Sequence, residues 1–174
     1  MKKAIYLTVL SFLFLTLNCS CSNDDSNNSG NNVPTNGWRI GATNYTTFLC
    51  MRNIGEPNSV GAFDVMPGTN GLNSVIVLFN NISGIAAGTY KVVTKPDQSD
   101  LLADEIMVSM STNYDEATGN YERQYVTELA ETVNAIVTIN DGKVRIEVPQ
   151  INIISYPITT DSVTSNFAGT IIEQ

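Results

Sequence analysis

Between Val133 and Val148 the side chains alternate with a period of two, and that alternation confines this part of the chain to β structure. Val133, Ala135, Val137 and Ile139 fall on one face, with Asn134, Ile136 and Thr138 on the other. Asn140-Asp141-Gly142 follows, and Asp-Gly supplies the two positive φ angles of a tight hairpin turn. The return leg Lys143–Val148 points Val144, Ile146 and Val148 inward and Lys143, Arg145 and Glu147 outward. Pro149, which cannot donate to a ladder, is expected to stop the strand.

The same period recurs upstream. Ser74–Phe79 is a continuous apolar run, the pattern of a strand covered on both faces. Thr89–Thr94 is rich in β-branched residues, begins after Gly88 and ends before Pro96. Glu105–Met110 alternates again, and a last strand is expected over Asn166–Ile172. Tyr45–Met51 reads as one strand carrying Phe48 and Cys50 on one face. Turn residues stand at Thr43-Asn44, Pro57-Asn58, Pro67-Gly68, Asn70-Gly71, Ser83-Gly84 and Thr118-Gly119-Asn120. The stretch 99–104 admits a single helical turn. Eight to ten short strands at this spacing predict an all-β domain, an antiparallel β-sandwich of immunoglobulin-like or jelly-roll-like form. A lipocalin-like up-and-down barrel is the alternative.

The N-terminus has a different character. Lys2 and Lys3 precede an apolar run, Ala4–Leu17, interrupted by Thr8, Ser11 and Thr16. A membrane-spanning helix needs about 20 apolar residues; a charged start and a shorter run read as a secretory signal. Leu17-Asn18-Cys19-Ser20-Cys21 resembles the lipobox of bacterial lipoprotein precursors, in which a small residue precedes the lipidated cysteine. Ser20 assigns that role to Cys21, with Cys19 as the alternative. Ser22-Asn23-Asp24-Asp25 resembles the acidic export signal of Bacteroidota surface lipoproteins. From Ser22 to Gly37 the one aliphatic residue is Val33, too little apolar surface to offset ordering entropy. Such a tether has an r.m.s. span of about 20–25 Å. The expected organisation is thus a signal over 1–20, a lipidated cysteine and tether over 21–37, and one domain over 38–174.

Within that domain Ala87-Gly88-Thr89-Tyr90, Asp141-Gly142-Lys143-Val144 and Ala168-Gly169-Thr170-Ile171-Ile172-Glu173 resemble a β-rich domain common in Bacteroidota (Flavobacterium-type) lipoproteins, mostly of unknown function. The resemblance implies an outer-membrane lipoprotein, held by its N-terminal lipid anchor and exposed at the cell surface.

Composition narrows the chemistry. The chain has no histidine, which removes Ser-His-Asp and Cys-His nucleophilic systems and histidine-based zinc sites. Without Lys2 and Lys3, its 17 acidic residues face seven basic ones, a net charge of −10 that would repel nucleic acid. Cys50, alone once the leader and Cys21 are accounted for, reads as a buried small hydrophobe. Asp104/Glu105 and Asp115/Glu116 are adjacent, so strand geometry points each pair to opposite faces. The oxygen-rich loops 97–104 and 113–120 are calcium candidates without EF-hand spacing, and the second reads equally as a plain hairpin turn. Asp161-Ser162-Val163 resembles the short O-glycosylation motif of exported Bacteroidota proteins.

These features together predict a non-enzymatic surface module, without a cofactor, that binds a glycan, a peptide or a partner protein. Tyr114, Tyr121 and Tyr125 are its candidate contact residues. The alternatives are a carrier with an apolar cavity inside a barrel, and a glycosidase using two carboxylates about 5–9.5 Å apart.

Overall fold

The computed structural model describes residues 33–128 and 133–174. The signal segment, both lipidation candidates (Cys19 and Cys21) and the tether up to residue 32 lie outside the described residues. The compact unit begins at Val33, so the end of the expected tether belongs to the folded body. Asn36 is tied into it, its carbonyl accepting from Thr47 N and its side-chain oxygen from Ile172 N.

Among the described residues eleven strands form: β1 (Gly37–Ile40), β2 (Thr43–Thr46), β3 (Leu49–Arg52), β4 (Ser59–Phe63), β5 (Ser74–Phe79), β6 (Gly88–Val92), β7 (Glu105–Asp115), β8 (Asn120–Thr127), β9 (Asn134–Asn140), β10 (Lys143–Tyr156) and β11 (Thr164–Ile172). The only helical piece among the described residues is a 3₁₀ turn, Gln98–Asp100, which overlaps the start of the stretch expected to make one. The protein is all-β.

The strands make one sheet in the order β2-β1-β11-β10-β9-β6-β7-β5-β4-β3, with β8 bridging β10 and β7. Every pairing is antiparallel except β6 with β7, so the sheet is mixed rather than purely antiparallel. On the edge of β10 away from β11, β9 takes Lys143–Glu147 and β8 takes Ile153–Tyr156. β7 is shared in the same way by β6 and β8. The five strands β10, β9, β6, β7 and β8 therefore close a ring, and one continuous core lies inside the bent sheet. At the far side β3 meets the end of β11. Arg52 pairs with Glu173 at 2.7 Å, and Gln174 N reaches Cys50 O at 3.4 Å. This seam gives a sandwich-like body some of the closure of a barrel.

Alternation explains the core. Val144, Ile146 and Val148 are buried on β10, and Asp141 and Gly142 adopt the positive φ of a two-residue turn. Pro149 does not stop the strand. A register shift between Val148 and Ile151 makes a bulge, where a missing N–H is tolerated and inward pointing resumes at Ile151. Trp38, Phe79 and Phe167 are fully buried. Gly169 lies opposite Trp38, and a Cβ there would come within 3.0 Å of the Phe167 ring.

Two expectations near the start are corrected. Thr43 and Asn44 lie within β2, and the turn falls one step earlier, at Gly41 with its positive φ. Tyr45–Met51 is two strands, because the chain crosses there from one wing of the sheet to the other. Thr47 N bonds Asn36 O and Phe48 N bonds Phe63 O. Phe48 lies just outside β3 and is 53% exposed, while Cys50 within it is buried.

Candidate functional site

β7 and β8 form a long hairpin whose tip extends beyond the core. Tyr114 and Tyr121 face each other directly across it, ring centroids 5.1 Å apart and tilted by 57°. Both are half-buried. Tyr125, two pleats nearer the body, lies opposite Met110 and is only 5% exposed. Tyr121, Arg123 and Tyr125 share one face of β8, but only Tyr125 reaches the core. The three-ring surface is thus corrected to a two-ring pair at the rim. Tyr125 also hydrogen-bonds Arg123, which holds the guanidinium pKa above its ordinary value.

The same strand borders a groove. β10 covers β8 from Thr127 to Gln124, then ends at Tyr156, where the chain leaves through a cis Tyr156-Pro157 bond. Between the uncovered part of β8 and the segment 155–163 lies a concavity of about 630 Å³. Tyr121, Glu122, Arg123, Tyr156 and Asp161 line it. Tyr156 is 58% exposed and Ile158 49%, both large apolar surfaces left in water. Tyr156 and Ile158 also wall a smaller apolar crevice of about 270 Å³, on the outer sheet face beside Leu78, Met107 and Val126. A polar trough and an apolar crevice thus share one aromatic wall.

The 156–163 turn is tied to the end of β10. Ser155 N donates to Val163 O at 2.9 Å, and Val163 N donates to Ser155 Oγ at 2.9 Å. Ser162 Oγ accepts from Thr159 N at 2.7 Å, so the hydroxyl of the O-glycosylation-like motif is engaged in its own turn. Glu122 accepts from Asn113 Nδ2 at 2.7 Å. That bond fixes a carboxylate beside Tyr121 at the groove.

The remaining candidates have local roles. Asp97 caps the 3₁₀ turn, accepting from Ser99 N and Ser99 Oγ, and these bonds lower its pKa. Asp115 accepts from Ala117 N and Thr118 Oγ1 in the hairpin tip. Among the described residues no three histidine, cysteine or acidic side chains converge as a metal site would require. Of the pair Asp104/Glu105, Asp104 is exposed, whereas Glu105 is buried and pairs with Lys95 at 3.3 Å. Burial acts to raise the Glu105 pKa, but bonds from Leu102 N and Lys95 outweigh it and the net shift is downward. The Cys50 thiol is pushed up to about 12, by burial first and then by the charge of Glu173, a value that leaves it unreactive.

Sequence reasoning passed over Tyr156 and Ile158, and took Asp161 only as part of an O-glycosylation-like motif. The available signal was an aromatic and an isoleucine flanking Pro157, where the alternation of β10 ends and inward pointing is no longer enforced. Comparison with family models, with curated proteins and with solved structures finds no match to this chain, so a functional reading has to rest on the groove itself.

Proposed function

We propose that this chain is a lipid-anchored envelope protein on the outer-membrane surface of a Bacteroidota-type cell, whose domain binds a glycan or polypeptide without transforming it. The observation that carries the binding half is the groove. Ligand sites are concavities of about 300–1,000 Å³ with apolar walls and a few placed polar groups. The trough of about 630 Å³ falls within that size range; its lining is more polar, with Tyr121 and Tyr156 as rings and Glu122, Arg123 and Asp161 as polar groups. The lipobox-like Ser20-Cys21 and the acidic residues after it support the address.

Each half has its own test. Labelling of growing cells with an alkyne fatty acid should mark the wild-type protein and not Cys21→Ser, while Cys19→Ser remains labelled; a native protein with an unmodified N-terminus would refute the anchor. Glycan and peptide arrays probed with the full-length chain in detergent should return ligands whose binding falls tenfold or more in Tyr156→Ala. Ligands bound equally well by that variant would show the groove is not the site.

A further inference from the structure

We propose that the polar trough and the apolar crevice are two halves of one site, which takes an amphiphile with an uncharged, hydroxylated head and a single alkyl tail; this rests on the trough being the ligand site. Strand register joins the two halves. Residues opposed across a ladder point to the same side of the sheet. Leu78 is opposed to Met107, Ser109 to Val126, Val126 to Ile154, and Gln124 to Tyr156. Leu78, Met107, Val126 and Ile154 are half-buried, whereas their chain neighbours Val77, Val108, Tyr125 and Ile153 are buried in the core. A largely apolar row therefore runs along the outside of β5, β7, β8 and β10 and ends at Tyr156. The segment Val93–Pro96 and Ile158 wall this row into the crevice. That segment is fixed in place, with Val93 N donating to Ile106 O at 2.9 Å and Thr94 Oγ1 to Thr127 O at 2.6 Å. Tyr156 ends the crevice and begins the trough, so a ligand that lies across its ring enters both.

The two halves select different chemistry. Lys95 is the one charged residue of the crevice lining, and its ammonium is held by Glu105 at 3.3 Å. The remaining surface there asks for carbon, and apolar surface left in water beside a polar rim marks a ligand groove. The crevice volume of about 270 Å³ equals about nine water volumes. A methylene is of similar size, so one short alkyl chain fills it. The trough mixes signs: Glu122 and Asp161 accept, Arg123 donates, and Asn120 and Gln124 do both. A hydroxyl also donates and accepts, so a polyol can satisfy every one of these groups. An anionic head would face two carboxylates, and a cationic head would face Arg123. A glycan without a tail would fill the trough and leave Val126 and Ile158 wet.

The test uses the full-length chain in phospholipid nanodiscs, carrying ¹³C at its methionine methyls, with empty nanodiscs to correct for membrane uptake. The probes are β-glucosides, β-galactosides and β-N-acetylglucosaminides with methyl to decyl tails, kept below their micelle concentrations. The methyl signal of Met107, in the crevice, should shift and saturate, while those of Met51 and Met66, outside it, stay fixed. Affinity should rise about two- to fourfold per added methylene and level off at about eight carbons. Ile158→Asn and Val126→Thr should each flatten that rise and leave the methyl glycosides unchanged. Asp161→Ala should instead weaken every tail length by a common factor. A hexyl tail bound equally well on a sulfate or a trimethylammonium head would overturn the choice of head. Affinity independent of tail length, or a rise that survives in both crevice variants, would overturn the shared site. Glycans or peptides that bind in a Tyr156-dependent way, with no gain from a tail, would overturn this inference and leave the groove reading standing. Absence of binding by any glycoside, glycan or peptide would overturn both.

Discussion

Glu173 holds the seam between the last strand and β3. Its carboxylate accepts from Arg52 at 2.8–2.9 Å and from Val144 N at 2.9 Å, and Arg52 also reaches the Gly142 carbonyl. Burial acts to raise the Glu173 pKa, yet the Arg52 and Val144 bonds and the charges of Arg52 and Lys143 carry the net shift downward. A carboxylate lowered in the folded state adds stability above its unfolded pKa, near 4.3, and loses it as pH falls through the folded value. Glu173→Gln should therefore cost about 1–2 kcal/mol at neutral pH and flatten the acid limb of stability, as thermal melts from pH 3 to 7 would register. At this scale the sequence was partly legible. Cys50 is buried, as its place in a strand indicated. Tyr125 could not be separated from Tyr121 by alternation, because both share a face and only the length of the hairpin decides which ring leaves the core.

Elements were easier to read where local chemistry fixed them. The β9–β10 hairpin follows from its Asp-Gly turn and its alternation, both properties of neighbouring residues. The β2–β3 crossing follows from bonds to Asn36 and Phe63, which are not neighbours, and no periodicity records it. Pro149 shows the same limit: a bulge on β10 depends on register with β11. That register also places Gly169 against Trp38 and Phe167. Gly169→Ala should cost about 1–3 kcal/mol by overpacking, and Phe167→Ala about 3–5 kcal/mol through the cavity it opens. Urea midpoints should fall in both variants with little change in slope. The groove belongs to this scale too, since it exists because β10 ends at Tyr156 while β8 continues to Asn120.

For the molecule as a whole, all-β architecture was legible from alternation, and the closed ring was not, because it requires β8 to be shared by two distant strands. The pairing that spans the chain is β1 with β11, where Trp38 lies opposite Gly169. Removal of residues 164–174 would leave β1 without that partner and β3 without its seam. Such a truncated chain should lose cooperative unfolding altogether, with a broad transition in near-ultraviolet circular dichroism. The same pairing bears on biosynthesis. Contacts between remote parts of a chain form slowly, and here one edge of β1 meets β2 at once while the other waits for β11, the last strand to be made. Made from its N-terminus onward, the chain would therefore hold β1 and β2 as a bare hairpin and complete its core only when β11 arrives.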